Sequence, residues 1–383
     1  MINVFQPSLG HEELAAIQRV FESNWLGRGK RVTEFERQFA RFRGVSPDSM
    51  IATTCASEGL FTAAEILGWG SGDEVIIPSI SFVAAASSVS RVGATPVFCD
   101  VDYRTLNTSL ADVERVVTPR TKAVILNHYG GYPAPADEIA DFCREEGIAL
   151  IEDAACAVSS SISGQALGTF GEVGVWSFDS MKILVTGDGG MVYVKNTHLE
   201  RAMRQAMYLG LPIGEKSGID KSQAEKDRWW EFQIESFGRR AIMNDITAAI
   251  GMVQLERLPY FLRRRAEIVA RYNQGLAGVP GLLTPPEPLP NYTVTHYLYW
   301  IQLERRDELA RYLLQHGIYT TFRYWPLHRV TMFGHQITPL HNAERATMMT
   351  LNLPCHQTLT DREVEVVVEL ITSFQKEKAT KIV

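Results

Sequence analysis

The sequence predicts a three-layer α/β fold, built on a doubly wound, mostly parallel sheet, with a smaller C-terminal α+β domain. From about residue 50, short apolar runs alternate with helical patterns, which is typical of such a fold. The runs are almost continuously apolar, as strands are when helices cover both faces of the sheet. They occupy residues 73–79, 94–101, 122–129, 148–155, 173–178 and 189–196.

The helical segments between these runs are amphipathic. Residues 110–117 and 135–147 are examples, and the second ends in Gly147, a residue type that commonly terminates helices. One apolar face on each helix is what packing against the sheet requires.

A long helical pattern over residues 243–276 marks the change to the C-terminal region. It leads into a proline-rich connection, followed by a strand-like run and a second helical pattern at 296–304 and 306–317. We place the boundary within the long helix, which predicts a large α/β domain over residues 1–250 and a small α+β domain over residues 251–383. Three consecutive arginines, Arg263 to Arg265, cannot share one side of a helix, and we expect them on a solvated face.

Charge and cysteine content exclude several classes of function. The formal net charge of −6 gives no basic field for nucleic acid or an acidic membrane. The five cysteines form no C-x-x-C pair, so neither a disulfide framework nor a metal site is predicted. No basic segment followed by an apolar run opens the chain, and no stretch has the apolar length of a membrane span. We therefore expect a cytoplasmic protein.

Polar residues at the ends of the apolar runs are the candidates for chemistry, because ligands of open α/β sheets bind beyond the carboxyl ends of the strands. Asp153 ends one run, Lys182 follows another, and Phe82 follows a third. A lysine amine, a carboxylate and an aromatic ring are the groups that pyridoxal phosphate requires. The amine forms a Schiff base, the carboxylate keeps the pyridine nitrogen protonated, and the aromatic ring covers the cofactor ring.

A phosphate group needs backbone N–H groups at a helix start. The stretch "TTCASEGLFTAAEIL" opens a helical pattern with small residues, among which Ala56 and Ser57 are best placed. Each feature alone also has an ordinary explanation. The "GDGG" after Lys182 suits a hairpin turn, and Asp153 suits a helix cap.

The order and spacing of these features resemble the sugar aminotransferases of the DegT/StrS type, which have the aspartate aminotransferase fold (fold type I). The similarity covers nearly the whole chain, from "SNWLGRGKRVTEFERQFARFRGV" through "IEDAACAVSSSISGQALGTFGEVGVWSF" and "MNDITAAIGMVQLERL" to "LNLPCHQTLTDREVEVVVELI". The resemblance implies that Lys182 is the Schiff-base lysine, that Asp153 is the partner of the pyridine nitrogen, and that Phe82 stacks on the ring. It also implies that Ala56, Ser57 and Ser177 hold the phosphate.

Two positions depart from the family pattern. Cys156 stands where most members have glutamine or histidine near the phenolic oxygen of the cofactor, and a thiol is a weak donor. Arg240 stands where the family has an asparagine or lysine that reaches the phosphate of the neighbouring subunit, a role that arginine can fill. The resemblance therefore implies a homodimer with shared active sites.

The family implies transamination of a nucleotide-linked keto-sugar, with glutamate or glutamine as the amino donor. We expect amination at C4 of a 4-keto-6-deoxyhexose; C3 amination or a cyclitol ketone is the alternative. Lys182 must be neutral to transfer a proton, and a desolvated site and a positive ring are expected to lower its pKa. The candidate substrate-binding residues are Arg28, Arg239, Arg323, His328 and Trp229.

Two other classes fit less well. Sugar dehydratases on this fold replace the lysine with histidine, and a protein that had lost catalysis would not need Lys182 and Asp153. No G-x-G-x-x-G follows a predicted strand, which argues against a nicotinamide-dependent enzyme.

Overall fold

A seven-stranded sheet forms the centre of the computed structural model, which describes residues 1–211, 228, 230–234, 236–334 and 339–379. Its strand order is β1-β9-β8-β5-β4-β2-β3; β9 runs antiparallel to both of its neighbours, and the remaining neighbours pair in parallel. The strands are β1 (Met50–Thr53), β2 (Glu74–Pro78), β3 (Thr95–Cys99), β4 (Thr121–Asn127), β5 (Ala149–Asp153), β8 (Val173–Ser177) and β9 (Gly190–Val194). The predicted mostly parallel sheet is confirmed.

The other strands form two smaller sheets. The short β6 (Ser161–Ile162) and β7 (Gln165–Ala166) pair with β10 (Tyr292–Thr293). Farther along the chain, β11 (Tyr299–Gln302) pairs antiparallel with β12 (Thr350–Leu353). This last pair is the sheet of the C-terminal region.

Helices cover the sheets. They are α1 (His11–Glu22), α2 (Lys30–Arg43), α3 (Ala56–Ile66), α4 (Val83–Arg91), α5 (Leu110–Glu114), α6 (Ala136–Glu146), α7 (Thr197–Met207), α8 (Asp245–Leu276), α9 (Arg306–Gln315), α10 (His341–Met349) and α11 (Asp361–Ala379). Helix α3 packs on β8 and β9, α6 packs on β4 and β5, and α1, α2 and α11 pack on α8. Among the described residues, none of the helices has the length and apolar character needed to span a membrane.

The long helix α8 contributes to two apolar cores. Leu258 and Phe261 belong to the core of the large sheet, whereas Ile268 and Tyr272 belong to a second core that includes β11, β12 and α11. A boundary between residues 250 and 251 stays a prediction. The helix itself passes from one core to the other.

The main differences from the sequence prediction lie at the ends of elements. Each predicted strand run extends past the carboxyl end of its strand, because the last residues leave the sheet there, and most runs also begin before the strand does. The run 296–304, for example, contains only Tyr299–Gln302 as strand. Strand β1 was not predicted, since four residues that lead directly into a helix start give too short a pattern to recognise.

The expectation for the three arginines of α8 is wrong for one of them. Arg263 is exposed and Arg264 pairs with Asp361, but Arg265 is only 1% exposed. Its guanidinium donates to the carbonyl oxygens of His296 and Cys355 and to Gln357 Oε1. It therefore joins α8 to two segments of the C-terminal region.

Replacing Arg265 with methionine should lower the free energy of unfolding by about 3 kcal/mol, because several buried carbonyl groups would lose their donor. Urea denaturation of the variant checks this, with Arg263→Met on the exposed face as the matched control. Equal stabilities for the two variants would contradict a role of Arg265 in holding these segments.

Candidate active site

A cavity of about 260 Å³ lies at the carboxyl ends of β4, β5 and β8, beside the first turn of α3. Parallel strands end at the same edge of the sheet, so residues that are far apart in the sequence lie close together there. From the predicted set, the cavity is lined by Ala56, Ser57, Phe82, Asp153, Cys156, Ser177, Lys182 and Arg323. The structure thus brings the predicted cofactor residues together, apart from Arg240.

Lys182 is positioned by a tight turn after β8. Its backbone N–H donates to the carbonyl of Asp179 at 2.9 Å, and the Asp179 carboxylate accepts the N–H of Met181 at 2.9 Å. The Lys182 Nζ lies 3.6 Å from Cys156 Sγ and 4.6 Å from the ring centroid of Tyr297. The amine is therefore held inside the cavity between a thiol and an aromatic face.

The electrostatic surroundings of Lys182 differ from the expectation. Burial lowers the pKa of the Lys182 amine, but the anionic forms of Cys156, Tyr297 and Tyr324 and the carboxylate of Asp153 raise it more, so the net direction is upward. The chain alone therefore favours the cationic amine. The neutral state expected from the sequence requires additional positive charge, such as that of a pyridinium ring.

Asp153 and its neighbour Glu152 point to opposite sides of β5, as successive strand residues must. Glu152 is fully buried and accepts the backbone N–H groups of Gly168, Phe170 and Gly171. It organises the loop before β8. Asp153 lines the cavity instead, and its Oδ1 accepts the Ala155 N–H at 3.1 Å.

Burial raises the pKa of the Asp153 carboxyl, and the Ala155 N–H, Lys182 and His128 offset this only in part. The ring of His128 contacts Glu152 and the backbone of Ala134. Its Nδ1 accepts the Ala134 N–H at 3.2 Å, so the proton sits on Nε2, which donates to Glu152 at 3.3 Å. A buried carboxylate with so little compensation is suited to a cationic N–H partner.

The first turn of α3 opens on the cavity with Ala56 and Ser57. Its N-cap residue is Cys55, whose thiol is a poor acceptor for the free N–H groups of that turn. A Cβ atom on Gly190 of β9 would lie 2.6 Å from the Ala56 nitrogen. Glycine there keeps the helix start uncovered, which suits a phosphate group.

Phe82 is the N-cap residue of α4 and remains 46% exposed. Its ring centroid lies 5.6 Å from that of Tyr324, which also lines the cavity. Burial raises the pKa of the Tyr324 and Cys156 side chains, so both are neutral donors. The Cys156 Sγ and the Tyr324 hydroxyl are 4.0 Å apart.

Asn127 ends β4 next to Asp153 of β5 and was missed by the sequence analysis. Its Nδ2 donates to the Ile80 carbonyl at 3.2 Å, while its Oδ1 is buried without a partner among the described residues. The residues present therefore fit pyridoxal phosphate, since an uncovered helix start, a buried carboxylate and an unused polar atom surround Lys182.

The remaining predicted residues lie outside the cavity lining. Arg28 forms a two-pronged pair with Glu36, and Arg239 pairs with Glu58 and Glu65 on α3. His328 Nδ1 lies 2.6 Å from the Ser79 hydroxyl. Arg240 is exposed, with its guanidinium 5.8 Å from the Tyr208 ring centroid. Trp229 lies outside the described residues.

Further lining residues were missed, among them His128, Tyr129, Asp179, Asp188 and Tyr324. The sequence does contain a signal for His128 and for Asn127, because "VILNHYGG" places both at the end of an apolar run, as Asp153 is. Tyr297, which lies beside Lys182, comes from the distant C-terminal region and has no such signal.

Comparisons with known proteins identify the family of the chain. The model of the DegT/DnrJ/EryC1/StrS aminotransferase family matches residues 7–372. The dTDP-4-dehydro-2,3,6-trideoxy-D-glucose 4-aminotransferase of Saccharopolyspora spinosa is 50% identical, over 98% of this chain and 96% of that protein. GDP-perosamine synthase of Caulobacter vibrioides is 33% identical, over 96% of each chain. The aminotransferase TlmJ from Streptoalloteichus hindustanus is 51% identical in sequence, over 97% of this chain and 98% of that one, and its crystal structure matches with a TM-score of 0.92.

The raised pKa of Asp153 predicts a pH-dependent stability of the cofactor-free protein. A carboxyl with a raised pKa favours folding at low pH, and this contribution is lost as the pH rises through its folded pKa. Asp153→Asn should therefore raise the thermal midpoint relative to wild type at pH 8 and progressively less toward pH 5.

Thermal unfolding across this range, in phosphate-free buffer, tests the effect. Asp141→Asn is the control, because Asp141 is exposed and pairs only with Arg144. A difference between Asp153→Asn and wild type that does not change with pH would contradict the assignment.

Proposed function

The chain is an aminotransferase of the DegT/DnrJ/EryC1/StrS family, and from this we propose that it uses pyridoxal phosphate to aminate C4 of a nucleotide-linked 4-keto-deoxysugar. The observation that carries the proposal is the cavity that Lys182 and Asp153 line together with the uncovered start of α3. The family membership confirms the prediction of an aminotransferase.

We assign the cofactor contacts to residues of the cavity. Ala56, Ser57 and Ser177 would hold the phosphate, Asp153 the pyridine nitrogen, and Phe82 the ring face. Pyridoxal phosphate, when bound, supplies an aldehyde that exchanges amino groups and a ring that withdraws electrons from the reacting carbon.

The proton transfer belongs to Lys182. Its Nζ accepts a proton from the carbon that carries the amino group of the donor. It then gives a proton to the carbon that receives the amino group. Cys156, 3.6 Å from this amine, has a pKa raised by burial and so stays a neutral thiol beside the moving proton.

The choice of C4 rests on the relatives. The Saccharopolyspora spinosa protein, which is 50% identical, is by its name a 4-aminotransferase for a dTDP-linked 4-dehydro-2,3,6-trideoxy sugar. We therefore propose a dTDP-linked 4-keto-deoxyhexose as the class of acceptor. Amination at C3 would use the same groups, and a dehydratase is disfavoured because Lys182 is present.

We further propose a homodimer with shared sites and glutamate or glutamine as donor. Several large aromatic side chains are exposed on the described surface, including Trp25, Phe232 and Phe237. Arg240 is exposed on the same segment of the chain as Phe232 and Phe237. It forms no ion pair among the described residues. A partner subunit would cover the aromatic rings and receive Arg240 at its phosphate site.

The first experiment is an absorbance spectrum of the protein with pyridoxal phosphate, before and after excess L-glutamate. Wild type should show a visible band that shifts to the near ultraviolet with glutamate. Lys182→Ala should lose the band and at least about 1,000-fold in activity, while the control Lys195→Ala, whose amine pairs with Glu172, should retain both.

A normal band that ignores glutamate and glutamine would point to another donor or to a dehydratase. A Lys182→Ala protein with near wild-type activity would refute the proposed role of the lysine. Analysis of the product from a dTDP-4-keto-6-deoxyhexose by NMR then distinguishes C4 from C3 amination.

Shared sites predict complementation between two defective chains. Arg240→Gln should weaken pyridoxal phosphate binding roughly 10-fold, through loss of charge-assisted hydrogen bonds. A mixed dimer of one Lys182→Ala and one Arg240→Gln protomer should then contain one intact site with wild-type cofactor affinity.

Equilibrium dialysis of the purified mixed dimer, with different affinity tags on the two protomers, measures this affinity. If Arg240 acted within its own subunit, the site that keeps Lys182 would lack Arg240 and would bind the cofactor weakly. Arg115→Gln, at an exposed pair with Asp112, is the control for loss of a surface arginine.

A further inference from the structure

Arg323 is a cation in the cavity that has no acidic partner among the described residues. Its side chain lines the cavity together with Lys182. In the described part of the chain no carboxylate lies within ion-pair distance of its guanidinium, in contrast to Arg28 and Arg239. Its Nη2 instead contacts Met181 Sδ, a weak acceptor, at 3.0 Å. The fork of donors is therefore available to an anion.

An aromatic pair fixes Arg323 relative to Lys182. The guanidinium carbon lies 4.5 Å from the ring centroid of Phe5, and Phe5 stacks on Tyr297 with centroids 5.5 Å apart and planes at 20°. Lys182 Nζ lies 4.6 Å from the same Tyr297 ring. The two cations thus contact one stacked pair of rings, and both line the same cavity.

The backbone of Arg323 is also fixed. Its N–H donates to Asn352 Oδ1 at 2.9 Å, and Asn352 Nδ2 donates to the Tyr129 hydroxyl at 3.1 Å. Asn352 and Tyr129 are both buried. Arg323 is therefore anchored to β12 and to the residues that follow β4, which gives its guanidinium a defined position.

We propose that Arg323 binds the α-carboxylate of the amino-acid donor. The inference rests on the proposed function and names the residue that selects an amino acid as donor. Arg323 and Lys182 are the lysine and arginine side chains among the described residues that line the cavity. Lys182 is engaged at the reacting carbon, and the start of α3 suits the phosphate, so Arg323 remains for the carboxylate.

Distance separates this role from the diphosphate role considered for Arg323 as a substrate-binding residue. In an amino acid, the carboxylate is bonded directly to the carbon that reacts. In a nucleotide-linked 4-keto-sugar, the diphosphate is attached at C1, on the opposite side of the ring from C4. A cation that shares the cavity with Lys182 suits the first anion, and two parallel N–H groups suit its two oxygens.

The two half-reactions provide the test, followed separately by rapid mixing. Arg323→Gln should raise the concentration of L-glutamate needed for half-maximal rate roughly 100-fold, through loss of a charge-assisted pair of hydrogen bonds. The reaction of the aminated enzyme with the keto-sugar should change by less than about 3-fold. Arg323→Lys keeps the charge but loses the two parallel donors of the guanidinium. It should raise the glutamate concentration needed for half-maximal rate about 10-fold.

Binding without turnover provides a second measurement. Titration calorimetry of the cofactor-loaded enzyme should show that Arg323→Gln loses affinity for glutarate, a dicarboxylate without an amino group, and keeps its affinity for thymidine diphosphate. The control is Arg345→Gln, because Arg345 also lies over an aromatic ring, that of Tyr103, but outside the cavity lining. It should leave both affinities unchanged.

Loss of thymidine diphosphate binding with glutarate binding retained would overturn the proposal in favour of a diphosphate contact. Equal losses for both ligands would also overturn it, as they indicate a purely structural role; Arg323→Lys would then behave like wild type in both titrations. If wild type reacts with glutamate but aminates no keto-sugar, the proposed acceptor fails while the test of Arg323 still stands.

Discussion

The buried carboxylate of Asp153 is the constraint on which the rest of the site depends. Folding removes this carboxylate from water and replaces its hydration with one hydrogen bond from a backbone N–H, so the pKa of the carboxyl rises. A site with an uncompensated carboxylate is costly for the chain alone and favourable for a ligand with a cationic N–H. The same carboxylate contributes to the raised pKa of Lys182. Cofactor binding and the protonation state of the amine are thus coupled through one acid.

Glu152 and Asp153, which are neighbours in β5, have a structural and a chemical role on the two sides of the strand. Glu152 is satisfied by loop N–H groups and by His128, whereas Asp153 faces the cavity. A comparable division occurs at the arginines. Arg239 is tied to α3 by two carboxylates, while the adjacent Arg240 is exposed. Burial and pairing, more than residue type, separate anchoring groups from groups available to ligands.

Arg265 links the two apolar cores near the active site, because it donates to the carbonyl of Tyr297 in the first core and to that of Cys355 in the second. Arg265 of α8 holds the carbonyl of His296, next to Tyr297, and Tyr297 stacks on Phe5 and lies beside Lys182. The position of the amine therefore depends on packing in the C-terminal region as well as on the turn after β8. A change in the second core can affect the site without touching it.

The sequence by itself determined the parallel sheet and the residues at its strand ends, because apolar runs predict buried strands and parallel strands end at one edge. Asp153, Ser177 and Lys182 could be recognised for that reason, with the family resemblance assigning their roles. Only the tertiary structure decided which charges are paired, since the partners of Arg28, Arg239 and Arg265 come from other elements. It also decided the surroundings of Lys182, because Tyr297 and Arg323 reach the cavity by packing between distant segments, which leaves no local pattern.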